Sequence, residues 1–241
     1  MINSITGTST VGEIVADNFH TANVFSKYGI DFCCGGGITL SEACNKKGIS
    51  INQLSKEIRE TMSEKKQNDS NFNAWEPSYL INYIIETHHK YVRVKIREIP
   101  VYAEKVASVH GERLPENVEI FKKFTALSSE LAQHLEDEEL IVFPLIASVS
   151  ENRKKGIEPS EEELSELKKQ LALMVDDHDG AGSGMADIRS LSNNFTPPDD
   201  ACTTFRILYL NLAQFEEDLH KHVHLENNIL FKKAEELLPQ E

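Results

Sequence analysis

The chain has few cysteines, no excess of positive charge and no long apolar run. Its 241 residues include four cysteines, too few for the disulfide framework of a small secreted domain. The formal net charge of -14 argues against nucleic acid or an anionic membrane surface as a partner. No apolar run is as long as a membrane span, and residues 1–10 lack the basic start and apolar core of a secretory signal. We therefore expect a cytoplasmic protein with reduced thiols.

No segment shows the pattern of a strand as strongly as four segments show the pattern of amphipathic helices. These four segments extend over residues 77–110, 116–148, 160–191 and 201–238, and short polar connections join them. Pro100 and Pro144 lie inside the first two, where we expect kinks. The pattern predicts an all-α fold built on an up-down four-helix bundle.

A polar segment separates this bundle from the N-terminal part of the chain. Residues 63–73 contain hardly any apolar side chain and are typical of a solvated linker. We therefore predict an N-terminal module at 1–62, a linker at 63–73 and a bundle domain at 74–241. One helix from Val11 to Lys27, one that begins at Thr39 and one that begins at Ser50 give the module three short helices.

Histidines interrupt the apolar stripe of every predicted bundle helix, and in two helices a glutamate follows four residues later. A buried carboxylate without a partner is costly, and a metal ion would satisfy it. Imidazole and carboxylate ligands from four helices are typical of a non-haem di-iron site, in which carboxylates bridge the irons. Zinc is the rival metal, but its closed structural sites favour cysteine, which these stripes lack. The predicted ligands are His89, His134, Glu138, His178, His222 and Glu226.

Helical register decides between neighbouring histidines. His89 continues the apolar stripe of the first helix, whereas His88 shares a line with charged residues, so His89 is the predicted ligand. His220 and His224 lie well around the helix from His222, and we expect them to face solvent or to lie behind the ligands. Acidic residues also flank the ligands, and we expect most to be solvated and one or two to orient an imidazole. These are Glu136, Asp137, Glu139, Asp176, Asp177 and Asp179.

Cys33 and Cys34 precede three consecutive glycines, which indicates a tight turn. Two interpretations stay open. The cysteines could act as transient metal ligands, nitrosyl acceptors or redox thiols, or the turn could be structural with one cysteine buried as a small apolar residue. Adjacent cysteines do not easily bind one metal together, and a disulfide between them would be strained. Cys44 and Cys202 are expected to be packing residues.

Four motifs together resemble the repair-of-iron-centres family, whose members are di-iron proteins that repair iron-sulfur clusters. They are Asp31-Phe-Cys-Cys-Gly-Gly36, His134-Leu-Glu-Asp-Glu138, Asp177-His178-Asp-Gly-Ala-Gly182 and His222-Val-His-Leu-Glu226. The resemblance implies a hemerythrin-like bundle with two non-haem irons in an oxo- and carboxylate-bridged centre. It also favours a role for Cys33 and Cys34 in docking or in iron or nitrosyl transfer.

The leading hypothesis is the repair of iron-sulfur clusters damaged by nitric oxide or oxidative stress, by supplying iron or removing nitric oxide. The expected partners are proteins with damaged clusters, and nitric oxide or oxygen as a small ligand. A hemerythrin-type protein that binds or senses oxygen or nitric oxide is the alternative. An enzyme that reduces nitric oxide at the di-iron site is a third hypothesis, and a homodimer formed through the N-terminal module is a further one.

Overall fold

The computed structural model describes residues 5–63 and 71–239. It has two compact units: the terminal unit, Met1–Leu80 with Lys221–Glu241, and the bundle unit, Ile81–His220. Across the described residues regular structure is helical, and β-type pairing is limited to an isolated bridge between Thr10 and Thr39. The predicted all-α fold is confirmed. None of the helices formed by these residues is long and apolar enough to span a bilayer.

The terminal unit begins with short helices that have well-defined starts. They are α1 (Val11–Asp17), α2 (Thr21–Lys27), α3 (Leu40–Lys47) and α4 (Ile51–Ser63). Capping boxes begin α1 and α3, since Thr10 pairs with Glu13 and Thr39 with Glu42 through reciprocal side-chain to backbone hydrogen bonds. These contacts satisfy N–H groups that have no partner inside the first helical turn.

The prediction of one helix from Val11 to Lys27 is wrong. Asn18 adopts an extended conformation that ends α1, and its side chain accepts a hydrogen bond from the backbone N–H of His20 before α2 begins. A 3-10 turn at Phe72–Ala74 overlaps the end of the predicted linker. Most of that linker, residues 64–70, lies outside the described residues, so the domain limits remain predictions.

Long helices follow in the order predicted. They are α5 (Pro77–Ile84), α6 (Lys90–His110), α7 (Glu116–Asp137), α8 (Phe143–Lys154), α9 (Glu161–Leu191) and α10 (Thr203–Leu225). In the bundle unit, α6 packs along α7, and α7 packs along α9. Helix α10 joins this core through Phe215, whose ring meets Phe124 edge to face with centroids 5.2 Å apart. The Tyr209 hydroxyl donates a hydrogen bond to Asn117 of α7.

Contacts within the bundle unit show that neighbouring helices are antiparallel. His88, just before α6, contacts Asp218 near the end of α10, whereas His110 at the end of α6 contacts Phe205 near the start of α10. Lys123 in the first half of α7 pairs with Asp187 in the last part of α9. The predicted up-down four-helix arrangement is therefore present in this unit.

Three π-helical turns interrupt helices in the described part of the chain. They are Ile85–His89 between α5 and α6, Glu138–Val142 between α7 and α8, and Glu226–Leu230 between α10 and α11 (Phe231–Glu235). The sequence pattern had predicted continuous helices at these places. Each π-helical turn accommodates an extra residue and so changes the side of the helix on which the following residues lie. In the terminal unit, α1 packs against Glu226–Leu230.

Candidate metal centre

Glu138 is the centre of a cluster of buried polar side chains in the bundle unit. Its side chain is fully buried, and no hydrogen bond reaches either carboxylate oxygen. Nε2 of His89 and Nε2 of His134 each lie 3.4 Å from Oε2, and Nε2 of His178 lies 3.8 Å from Oε1. The two Nε2 atoms of His134 and His178 are 3.0 Å apart. Three helical segments thus direct imidazoles at one carboxylate.

The other ring nitrogens show why a cation fits this cluster. Nδ1 of His89 lies 2.7 Å from Oε1 of Glu139, and Nδ1 of His134 lies 3.4 Å from Oδ2 of Asp177. An ionised carboxylate only accepts hydrogen bonds, so Nδ1 is the nitrogen of each ring that donates to its carboxylate. Nε2 is then the nitrogen that faces the Glu138 oxygens, where a cation between them would bind both the imidazoles and the carboxylate.

The distances in this cluster also suit a metal ion. Two ligand atoms that each lie about 2.1 Å from one ion are about 3.0–3.4 Å apart, depending on the coordination geometry. The measured separations of 3.0, 3.4 and 3.8 Å among His134, Glu138 and His178 approach this range. The donor atoms of these three buried residues all lie within 4.8 Å of one another. The residues therefore fit a metal ion.

Carboxylates outside the cluster hold two of its imidazoles in place. Glu139 contacts His89 and also Arg93, whose guanidinium nitrogen lies 3.0 Å away. Burial raises the pKa of Glu139, but hydrogen bonds from His89 and Arg93 outweigh it and keep the pKa below its ordinary value. Asp177 contacts Nδ1 of His134 in the same way, at the longer distance of 3.4 Å. The sequence had indicated that one or two of the acidic residues would have this role.

The π-helical turns coincide with predicted ligands. His89 ends the first turn, Glu138 begins the second and Glu226 begins the third. Such turns are frequent at functional sites because they rotate side chains away from a regular α-helical register. Periodicity could not find them, although Pro144 was a signal for the second turn: it has no N–H to bond back to Leu140.

The terminal unit holds the remaining two predicted ligands. Nε2 of His222 lies 2.8 Å from Oε1 of Glu226, and both side chains are buried. The spacing of four residues places the two side chains one above the other on the helix, as the sequence predicted.

Of the two environments expected for His224, exposure to solvent is wrong. His224 is buried between the rings of Phe19 and Phe32, with ring centroids 5.8 and 5.9 Å away. The side-chain amide nitrogen of Asn228 lies 3.2 Å from its Nδ1. Burial lowers the pKa of His224 to about 4, so the imidazole is neutral at pH 7. His220, in contrast, is partly exposed.

His88 is also buried, which its line of charged neighbours did not indicate. Its Nδ1 lies 2.9 Å from Oδ1 of Asp218, and Tyr83 meets its ring edge to face. His88 therefore pairs with α10, while its neighbour His89 faces Glu138. The expectation that His89 is the ligand remains a prediction, and this geometry favours it.

None of the four cysteines, all of which lie within the described residues, forms a disulfide. Cys33 and Cys44 are buried, Cys34 is partly exposed and Cys202 is exposed. The expectation of a packing role thus fits Cys44 and is wrong for Cys202. A hydrogen bond to Cys34, together with burial, raises the pKa of Cys33 well above its ordinary value.

Two models of known protein families match the chain. Residues 80–234 match the hemerythrin HHE cation-binding domain, and residues 7–62 match the ScdA N-terminal domain, a domain of unknown function.

Relatives that match over most of the chain are named iron-sulfur cluster repair proteins. The chain is 34% identical over 229 residues to the iron-sulfur cluster repair protein ScdA of Staphylococcus haemolyticus, covering 95% of this chain and 99% of that protein. It is 32% identical over 225 residues to the iron-sulfur cluster repair protein YtfE of Musicola paradisiaca, covering 93% and 95%. A probable iron-sulfur cluster repair protein of Haemophilus influenzae is 34% identical over 212 residues, 88% of this chain and 89% of that protein. The chain therefore belongs to the hemerythrin-like family of iron-sulfur cluster repair proteins that includes ScdA and YtfE.

Proposed function

We propose that this protein repairs damaged iron-sulfur clusters and that iron bound in the bundle is essential for the repair. The observation that carries the proposal is the buried Glu138 carboxylate, which faces three imidazoles and has no hydrogen bond to either oxygen. A protein that kept this arrangement only for stability would lose free energy, because burial of an uncompensated carboxylate is costly. The names of the relatives supply the reaction class.

The proposed iron ligands in the bundle unit are His89, His134, Glu138 and His178. The sequence adds His222 and Glu226, so that six side chains would hold two non-haem irons. When bound, the irons supply redox chemistry and open coordination positions for small ligands such as nitric oxide or oxygen.

The protein's own residues have three roles in this proposal. Glu138 compensates the charge of the cations, and its complete burial keeps bulk water from the cluster. Glu139 holds the proton of His89 on Nδ1, so that Nε2 is available as a donor. A single histidine from α9, His178, leaves the centre with fewer protein ligands than a closed site would have.

Two routes to repair are part of the proposal. The protein could supply iron to a damaged cluster, in which case iron is its cargo, or it could remove nitric oxide from the damaged protein. We place this activity in the cytoplasm, with proteins that carry damaged clusters as partners.

The test is anaerobic incubation of the iron-loaded full chain with a dehydratase whose cluster has been damaged by nitric oxide. We expect the dehydratase activity to recover with the wild-type chain and not with the Glu138→Leu variant. A Glu136→Gln variant is the matched control, because Glu136 is an exposed carboxylate on the same helix. Absence of recovery with the wild-type chain would overturn the proposal. Reversible oxygen binding in that case would support the hemerythrin-type alternative.

A further inference from the structure

The loop Asp31–Gly36 of the terminal unit is organised around one carboxylate and two thiols. Oδ1 of Asp31 accepts hydrogen bonds from the backbone N–H groups of Cys33 and Cys34, at 2.9 and 3.2 Å. Oδ2 accepts one from the N–H of Gly35 at 2.9 Å. The Cys33 thiol lies 3.2 Å from Oδ1 of the same carboxylate. These contacts bring both cysteine side chains to the side of the loop that carries Asp31.

The two sulfur atoms lie 3.7 Å apart. A disulfide requires about 2.05 Å, so this separation is not that of a bonded pair. In tetrahedral thiolate coordination each sulfur lies about 2.3 Å from the metal, and two such sulfurs are then about 3.8 Å apart. The observed distance therefore matches that of two thiolates on one ion.

We propose that Asp31, Cys33 and Cys34 form a binding site for a thiophilic divalent cation such as Zn²⁺ or Fe²⁺. The donor atoms of the three residues lie within 4.8 Å of one another. Two thiolates and one carboxylate fill three positions of a tetrahedral ion, so the fourth stays open to solvent or to an incoming ligand. An open position and partial exposure of Cys34 characterise a site that exchanges its metal. On binding, the two thiol protons pass to the buffer.

The rest of the terminal unit holds this loop in a fixed shape. The side-chain amide of Asn228 donates to the carbonyl oxygens of Phe32 and Cys33, at 3.3 and 3.0 Å. The backbone N–H of Gly12 donates to the carbonyl of Gly36. A side chain at Gly36 would come within 2.6 Å of the Phe32 carbonyl oxygen, so this close approach requires glycine. A loop that only reversed the chain direction would not need two thiols held on one side.

Cobalt(II) is a suitable probe, added to the full-length, reduced, metal-free chain under anaerobic conditions. Thiolate ligation gives cobalt an intense near-ultraviolet charge-transfer band, whereas imidazole and carboxylate ligation does not. The band therefore reports this site even when cobalt also occupies the bundle. We expect one thiolate-bound cobalt per chain, and we expect added Zn²⁺ to abolish the band.

Substitutions then assign the ligands. Cys33→Ser and Cys34→Ser should each remove most of the band, and Asp31→Asn should weaken cobalt binding about tenfold or more. Cys202→Ser is the matched control, because this exposed thiol lies outside the loop, and it should retain the band. Thermal unfolding of each variant shows whether it is folded, and Cys34→Ser, at the more exposed cysteine, is the safer of the two.

The proposal is overturned if the wild-type chain gives no thiolate band, or if both cysteine variants retain it. The experiment is independent of the proposed repair function. Glu138→Leu should lose metal from the bundle and keep the charge-transfer band, so failure of one proposal is distinguishable from failure of the other.

Discussion

Replacement of Glu138 by glutamine should make the metal-free protein more stable and abolish its stabilisation by metal. In the metal-free bundle, the Glu138 oxygens have no hydrogen bond and face the Nε2 atoms of His89 and His134 at 3.4 Å. A buried polar group without a partner costs about 1–3 kcal/mol, and more when it is charged. Glutamine removes the charge, keeps the shape and adds an N–H₂ group that can donate to a neighbouring imidazole.

We therefore expect the free energy of unfolding of the metal-free variant to rise by about 1–3 kcal/mol. For a chain of this size, each kcal/mol raises Tm by about 2–4 °C. The wild-type protein should gain about 2.7 kcal/mol more from a metal present at one hundred times its Kd, and the variant should gain little. Thermal unfolding with and without Fe²⁺, under anaerobic conditions, measures both changes.

The exposed Glu136→Gln variant is the control and should behave like the wild-type protein in both states. A metal-free Glu138→Gln variant that is less stable than the wild-type protein would refute the reasoning. It would mean that protonated imidazoles already compensate the carboxylate. An equal metal-induced shift in Glu138→Gln and wild type would place the metal elsewhere in the chain.

Three other predictions concern residues outside the cluster. Glu139→Gln should weaken iron binding about 10–100-fold without removal of a ligand, because it loosens His89; metal titration measures this. Asn228→Ala should lower the free energy of unfolding by about 1–3 kcal/mol, because it leaves the carbonyl oxygens of Phe32 and Cys33 without this donor; urea unfolding measures the change. Arg189→Met should cost a similar amount, because it leaves the buried Glu216 without its ion pair, and Arg189→Met with Glu216→Met should recover most of the loss.

Helical periodicity identified the helical segments of the bundle and several of the inward-facing residues on them. The stripe of α7 predicted that His134 and Glu138 face the core, and both are buried. The continuous apolar stripe of α9 likewise placed His178 inside. These predictions worked because burial in a bundle depends on one face of each helix, and a period of 3.6 residues identifies that face.

Periodicity failed where a second element covers another face of the same helix. His224 lies opposite the stripe of His222, yet Phe19 and Phe32 of the terminal unit bury it. His88 is buried in the same way by Tyr83 and Asp218. The apolar pattern of one helix does not show which other elements pack against it, so the burial of these two histidines could not be predicted from register alone.

Local sequence also could not predict the shape of the loop at Cys33 and Cys34. The glycines indicated a turn, but the direction of each thiol depends on Asp31 and on Asn228, which lies far along the chain. A hydrogen bond across that sequence distance belongs to the tertiary fold and leaves no trace in a short motif.

The π-helical turns have a consequence for attempts to transplant this centre into another scaffold. Each turn inserts about one residue, and the predicted ligands lie at its edges, so the residues that follow the turn face another side of the helix than they would on a straight one. A designed bundle of straight helices would therefore rotate residues such as Phe143, whose ring stacks on His89. Deletion of one residue within Glu138–Val142 should act in the same way, turning α8 by about 100° relative to α7. A transplanted centre would therefore need the π-helical turns as well as the donor residues.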